Sequence, residues 1–323
     1  MSLTSSTFWS ELLKKVLIAN KMQTNLADIE AELQTLLKAK LSTKIQIYLF
    51  GSRVLGIAQE TSDLDIFVKF EDSFYEYTDN PPTRKTIVRQ AMIAKVFNSR
   101  CNWKRIEQRR GRCPIVIIQN RFTGLQCDIN CSDAYAYFQN KIVLYLFELQ
   151  PIARYMIIYL RDWIRKHGQQ DMFRSHLLLL MLIFFLQIRE HLPGIHVLQA
   201  GLSPQIGPVI CDFNKLKSLN EPCQIALTEQ NVRAQLKEFF KFYGSFDFDR
   251  YAICPYLGTY VERRFLNASM PKRYQMVNMD SKFTRFTVAI QDFIHLNFNK
   301  EPLRFALELP ICDAVTPNVK PST

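Results

Sequence analysis

"GSRVLGIAQETSDLDIFV", residues 51–68, decides how this chain is read. It sets a Gly-Ser pair ten residues ahead of an Asp-Leu-Asp. "LDIFVKF", from Leu64, reads as a strand, so Asp63 and Asp65, at i and i+2, project from the same face. Two neighbouring carboxylates on an apolar run push each other's ionisation up unless something positive lies between them. A hard divalent cation resolves that repulsion, and Mg²⁺ is typically held by one or two carboxylates together with phosphate oxygens. Asp128, in "LQCDIN", is the natural third member, because it too sits in an apolar-flanked strand that can lie beside the first. Three carboxylates can hold two metal ions, a clamp suited to in-line displacement at phosphorus.

Gly51 and Ser52 fit the other end of such a reaction. "KIQIYLF" alternates and runs into Gly51, which reads as a strand ending in a turn. That turn exposes backbone N–H groups, Gly allows close approach of a phosphate, and the Ser hydroxyl adds a donor. A lone D-x-D or a lone Gly-Ser says little. The combination, with a strand on each side and a later strand Asp, is specific.

Working outward, "ADIEAELQTLLKA" (27–39) and "KTIVRQAMIAKVF" (85–97) have helical spacing. "DNPPT" (79–83) is a loop, and "PIVIIQNRFTGLQCDIN" reads as two strands joined by a Gly-containing turn. Residues 27–139 therefore read as helix, strand, strand, helix, strand, strand: a mixed α/β domain around a small sheet. From Asn140 the pattern changes. "IARYMIIYLRDWIRKH" presents Met156, Leu160, Trp163 and Ile164 as a stripe, and "SHLLLLMLIFFLQIREH" is apolar nearly all round, hence a buried helix. A looser stretch (192–223) follows, then helices near 232–243 and 286–298 and a Pro-containing tail after Glu301. Residues 140–323 read as a second, mainly helical domain, on which residues 1–26 pack. The fold class expected is α+β.

The 323 residues are enough for two domains, and 48% apolar with 22% charged residues is ordinary globular usage. The net charge of +11 suits a polyanionic partner and excludes nothing about fold. The eight cysteines include no C-x-x-C and read as reduced thiols. No secretory signal or membrane-length apolar run is seen, so an intracellular protein is expected, cytoplasmic or nuclear ahead of mitochondrial, with no membrane association. His167, His191 and His196 read as helix-end or loop residues rather than ligands.

"LFGSRVLGIAQETSDLDIFV" resembles the signature of the DNA polymerase-β-like nucleotidyltransferase superfamily. Within it, the stretch resembles template-independent RNA nucleotidyltransferases, the non-standard poly(A) polymerases and terminal uridylyltransferases. "CPIVIIQNRFTGLQCDIN" is similar to the segment that carries their third catalytic Asp. "LRDWIRKHG", "SHLLLLMLIFFLQ" and "HLPGIHVLQ" resemble their central-domain helices, and "LKEFFKFYGSFDFDRYAI" their poly(A)-polymerase-associated segment. "IFFLQIRE" and "FTGLQCDIN" lean toward the mitochondrial-type branch. The resemblance implies a nucleotidyltransferase domain plus a helical central domain, with the active site in the cleft between them. It implies transfer of a nucleoside monophosphate from an NTP to an RNA 3′-hydroxyl, releasing pyrophosphate, with two Mg²⁺ or Mn²⁺ ions on Asp63, Asp65 and Asp128.

The resemblance also assigns nucleotide contacts. Arg161 and Arg165, i and i+4 on one helix face, fall where the family places basic residues against the triphosphate. Ser175 matches a phosphate-contacting Ser, and Asn140 falls where the family has an Asn near ribose and base. His176 stands where a base-stacking Tyr is usual. Phe286 and Thr287 stand where uridine-specific enzymes carry His-Asn, which favours ATP over UTP. The strip from Arg84 to Arg112 holds ten basic residues against one acidic, Glu107, and offers Lys104, Arg105, Arg109 and Arg110 as an RNA track. Substrate selection is expected from self-association or an RNA-binding partner protein. Two other readings stay open: an inactive RNA-binding scaffold on the same fold, and a nucleotidyltransferase with a non-RNA acceptor.

Overall fold

The protein is described by a computed structural model covering residues 7–71, 83–97, 101–111, 114–132, 134–170, 173–203, 210–216, 219, 223–248 and 250–262. It divides into two compact units. One holds Leu13–Leu144 and Ser203–Asp212, the other Met1–Leu12, Tyr145–Leu202 and Phe213–Thr323.

The first unit is built on a five-stranded sheet. Its strands are β1 (Ile45–Phe50), β2 (Leu64–Phe70), β3 (Trp103–Arg109), β4 (Ile115–Asn120) and β5 (Gln126–Asn130), in the order β1-β2-β5-β4-β3. Only β2 and β5 run parallel; the other pairs are antiparallel. A parallel pair needs a long crossover, and here α3 (Arg84–Val96), β3 and β4 supply it. Strand alternation puts Leu64, Ile66, Val68 and Phe70, Val116 and Ile118, and Cys127 and Ile129 on one face. These join Leu33 and Leu37 of α2 (Leu26–Lys40) and Ile93, Ala94 and Val96 of α3 in the core of this unit.

Local chemistry sets those helices. In α2, Leu33 and Leu37 are one turn apart and fully buried, Asp28 lies in the first turn, and Lys38 and Lys40 lie in the last, matching the helix dipole. Thr83 caps α3 by accepting from the Thr86 N–H. Gln34 of α2 holds β1 by its backbone: Nε2 donates to the Ile45 carbonyl at 3.0 Å, and Oε1 accepts from the Ile47 N–H at 2.8 Å.

The second unit is mainly helical. It contains α5 (Ile152–Lys166), α6 (Ser175–Ile188), the short α7 (Ile195–Leu198), α8 (Glu229–Ser245) and a hairpin of β6 (Tyr251–Cys254) and β7 (Thr259–Glu262). The α5 stripe of Met156, Leu160, Trp163 and Ile164 is buried, and α6 is buried from Leu177 through Gln187. Tyr243 of α8, fully buried, donates its hydroxyl to the Met181 carbonyl at 2.7 Å. Phe8 and Trp9, at the start of α1 (Thr7–Lys21), lie against Tyr159 and Tyr155 of α5, with ring centroids 5.4 and 5.9 Å apart.

Four features are additions to the expected elements: α1, β3, α4 (Tyr135–Leu149) and the β6–β7 hairpin. The helix expected near 286–298 and the tail after Glu301 lie outside the described residues. Among the described residues no single helix is long and apolar enough to cross a membrane, and Cys101, Cys127, Cys131, Cys211, Cys223 and Cys254 are free thiols.

Gln150, fully buried, joins three separate backbone groups in the second unit. Its Nε2 donates to the His191 and Cys223 carbonyls at 3.2 and 2.9 Å, and its Oε1 accepts from the Ile225 N–H at 3.2 Å. Gln150→Leu keeps the volume but strands those groups, and a buried polar group left unpaired costs about 1–3 kcal/mol. A urea titration of the variant should show a loss of about 2–4 kcal/mol.

Candidate active site

The parallel pairing of β2 with β5 makes Asp65 and Asp128 direct partners. Partners in register share a face, and it is the face opposite the apolar core. Asp63 lies two residues before Asp65, immediately ahead of β2. Asp128 and Asp63 feel each other: burial first, then the Asp63 charge, pushes the Asp128 carboxyl above the ordinary carboxylate range. A hydrogen bond from Gln126 Nε2 to Asp128 Oδ1 at 3.2 Å and the Arg109 charge oppose that rise. Neither Asp63 nor Asp128 makes an ion pair with a described residue.

The turn after β1 is built against the same carboxylates. Phe50 pairs with Asp65, so Gly51 comes directly beside it. Gly51 has φ +84°, and a Cβ placed there would collide with Asp65 Oδ2. Glycine is therefore required twice, for backbone conformation and for space. The turn closes with Leu55 N–H donating to Gly51 O and Ile57 N–H to Ser52 O, both at 3.0 Å. The Ser52 hydroxyl makes no hydrogen bond to a described residue.

Asn140, on α4, braces this turn. Its Oδ1 accepts from the Gly51 N–H at 3.1 Å. The side chain is 6% exposed, and its Nδ2 has no hydrogen-bond partner among the described residues. Arg53 ties the turn to the segment leading into Asp63: its Nε donates to the Ser62 carbonyl at 2.8 Å and its Nη1 to the Met22 carbonyl at 3.4 Å. Partial burial lowers the Arg53 pKa, while Cys127 and Asp63 act to raise it.

The structure thus sets Asp65 opposite Asp128 and beside the Gly51 turn, with Asn140 bonded to that turn; Ser52 and Asp63 belong to the same first unit. Arg161, Arg165, Ser175 and His176 belong to the second. Arg165 Nη2 donates to Asp162 Oδ1 at 2.8 Å, and Lys166 Nζ lies 3.3 Å from Asp162 Oδ2, so both cations neutralise a carboxylate that is 5% exposed. Arg161 is half-buried on α5, and Ser175 and His176 are exposed in the first turn of α6. Phe286 and Thr287 lie outside the described residues.

Three contributors escaped sequence reading. Arg53 stood inside the quoted stretch without a role. Gln126 was signalled by its i−2 spacing from Asp128 on a strand. Glu107 raises the Asp128 carboxyl from across the sheet, a relation that needs the strand order.

The donor chemistry suits a divalent cation. Among the described residues no three His, Cys, Asp or Glu side chains are gathered closely enough to hold a metal ion as they stand. Yet the Asp65 and Asp128 carboxylates share one face and Asp63 and Asp128 repel each other, which is the donor chemistry a hard cation neutralises.

A carboxyl whose pKa is raised by folding favours the fold while protonated. That contribution is complete in acid, below the ordinary carboxylate value, and is lost as pH rises through the raised one. Asp128→Asn, which stays neutral, should therefore have a higher Tm than the parent at about pH 7, the gap closing toward about pH 3. Thermal melts of chelator-treated protein across this range check the sign.

Residues 6–148 match the family model described as "Poly(A) RNA polymerase, mitochondrial-like, central palm domain", and residues 231–297 match "Cid1 family poly A polymerase". The human "Poly(A) RNA polymerase, mitochondrial" is 28% identical over 153 residues, 44% of this chain and 26% of that protein. The chain accordingly matches well under two thirds of this relative's length. A crystal structure of mtPAP in complex with CTP superposes with a TM-score of 0.66 at 18% identity, covering 96% of this chain and 70% of the other. Terminal uridylyl transferase 4 from Trypanosoma brucei with bound dUTP gives a TM-score of 0.63 at 17% identity, covering 94% and 98%. The fold is that of the polymerase-β-like nucleotidyltransferases. Palm and poly(A)-polymerase matches on one chain, in that order, place it in the family of template-independent RNA nucleotidyltransferases, the non-standard poly(A) polymerases and terminal uridylyltransferases.

Proposed function

We propose that this chain transfers a nucleoside monophosphate from an NTP to the 3′-hydroxyl of RNA without a template, releasing pyrophosphate, with ATP favoured over UTP. One observation carries the reading: β2–β5 pairing sets Asp65 opposite Asp128 beside the Asn140-braced Gly51 turn. Asp63, Asp65 and Asp128 would hold Mg²⁺ or Mn²⁺. Such ions, when bound, supply charge neutralisation at the transferring phosphate and ease deprotonation of the attacking hydroxyl.

The chain's own residues do the positioning. Ser52 offers a hydroxyl to a phosphate oxygen, and Gly51 leaves room for the Asp65 carboxylate beside it. Asn140 fixes the turn through the Gly51 N–H, close to where the ribose and base would lie. Arg161, Arg165 and Ser175 would grip the triphosphate, and His176 would stack on the base. The Arg165 guanidinium, already anchored on Asp162, has less rotamer freedom to lose on binding. We assign this chemistry to a catalytic domain over 27–139 and a helical domain over 140–323. RNA selection then comes from self-association or an RNA-binding partner protein.

Purified protein given Mg²⁺ or Mn²⁺, labelled RNA and each NTP in turn should lengthen the RNA, more with ATP than with UTP. Asp65→Ala and Gly51→Ala should each lower the rate by at least about a hundredfold, the second by driving a methyl into the Asp65 carboxylate. Chelation should stop the reaction. No extension with any NTP over a range of RNA ends would sink the reading.

A further inference from the structure

We propose that Lys104 and Arg109, at the β3 edge of the carboxylate-bearing face, bind the phosphodiester backbone of the acceptor RNA, and that a β-bulge turns Arg109 onto that face. The identity of the polyanion rests on the function proposed above; the placement of the two cations does not.

The register makes the argument. Along β3, Lys104 pairs with Gln119 and Arg105 with Ile118, and then the register shifts, so that Glu107 pairs with Ile117, Gln108 with Val116 and Arg109 with Ile115. Ile117 in turn pairs with Asp128, and Asp128 with Asp65. One row therefore crosses the sheet from Glu107 through Ile117 and Asp128 to Asp65. Lys104 and Arg109 share its face, whereas Arg105, opposite Ile118, falls on the other. Gln108 verifies the alternation: it stands opposite Val116 on the core side, where its Nε2 donates to Gln90 Oε1 of α3 at 3.1 Å. Ile106 is the extra residue, 48% exposed. With unbroken pairing, Glu107 would fall opposite Val116, and Arg109 would follow it to the core face. Bulges serve this purpose beside active sites, re-aiming a side chain at the end of a sheet.

The two cations are available. Glu107 Oε1 holds Arg109 by Nε alone, at 3.0 Å. The Nη groups of Arg109 make no hydrogen bond with a described residue, so an oriented fork is left for phosphate oxygens. The Lys104 ammonium makes no ion pair with a described residue. From the strand rise, their backbones stand about 14 Å apart along β3, and Glu107 lies about 10 Å from Asp128, two strand spacings away.

Strand order selects the acceptor rather than the NTP. The Gly51 turn belongs to β1 at one edge, the carboxylates to β2 and β5 in the middle, and Lys104 and Arg109 to β3 at the other edge. In phosphoryl-type transfer the attacking and leaving oxygens lie roughly in line on opposite sides of phosphorus. With the triphosphate cradled on the β1 side, the attacking strand approaches from the β3 side.

The test is fluorescence anisotropy of a labelled single-stranded RNA of mixed sequence over a range of salt, with ATP binding measured in parallel. Lys104→Gln with Arg109→Gln should raise the RNA Kd about tenfold and flatten the slope of log K against log salt by about 1.4, the value for two single-strand phosphate contacts. ATP affinity should not change. Removing the same charge from the opposite face, with Lys38→Gln and Lys40→Gln, should leave RNA binding as it was. Deleting Ile106, the extra residue, leaves Glu107, Gln108 and Arg109 on their partners and should leave RNA binding as it was; where that deletion prevents folding, the point changes decide. Unchanged RNA Kd and slope, an equal loss from Arg105→Gln with Arg110→Gln, or a loss of ATP binding instead would each overturn the proposal. Normal salt dependence with no nucleotide addition would refute the proposed reaction and leave this surface standing.

Discussion

Everything in the first unit answers one electrostatic difficulty: two aspartates held opposite each other on adjacent parallel strands. Strand spacing sets their backbones about 4.8 Å apart, and like charges at such a position weaken a sheet. The strands stay paired because their other face is continuously apolar. Leu64 and Ile66 of β2 and Cys127 and Ile129 of β5 are almost wholly buried beneath α2 and α3. The two faces divide by strict alternation: even-numbered residues of β2 face the core, and Asp65 lies on the opposite face. Burial also pushes the Cys127 thiol up, which keeps the neighbour of Asp128 neutral and adds no further negative charge.

The Gly51 turn depends on that arrangement in a second way. The Asp65 carboxylate fills the volume a side chain at 51 would need. Carboxylate and turn are therefore fitted to each other directly. Asn140 completes the assembly from a helix far along the chain, so the geometry of the turn is set by tertiary contact as well as by local conformation.

Much of this could be read from the residues because it follows local period. The i, i+2 carboxylates, the alternation of β2 and the stripe of α5 are patterns that short-range geometry imposes, and the structure places them accordingly. Other elements were hidden for physical reasons. β3 looks like a basic strip because, as an edge strand, it is solvated on much of its surface, and its bulge interrupts the period of two. The first turn of α1 gains its packing from α5, more than a hundred residues away. The grip of Arg165 and Lys166 on Asp162 is written in i,i+3 and i,i+4 spacing, but only burial of Asp162 shows why the carboxylate needs both. Asn140 was noticed through family likeness; its bond to Gly51 could not be seen without the fold.

The amide of Gln34 has a wider consequence. An open sheet ends in two strands whose outer peptide groups can template a stranger's chain, the usual beginning of β-aggregation. On β1, Gln34 meets the carbonyl of Ile45 and the N–H of Ile47 much as another strand would. At the far side, the bulge at Ile106 and the charges of Lys104, Arg105 and Arg109 spoil the ladder. Main-chain recruitment is thus discouraged at both margins, and whatever docks on this sheet must be recognised by its side chains.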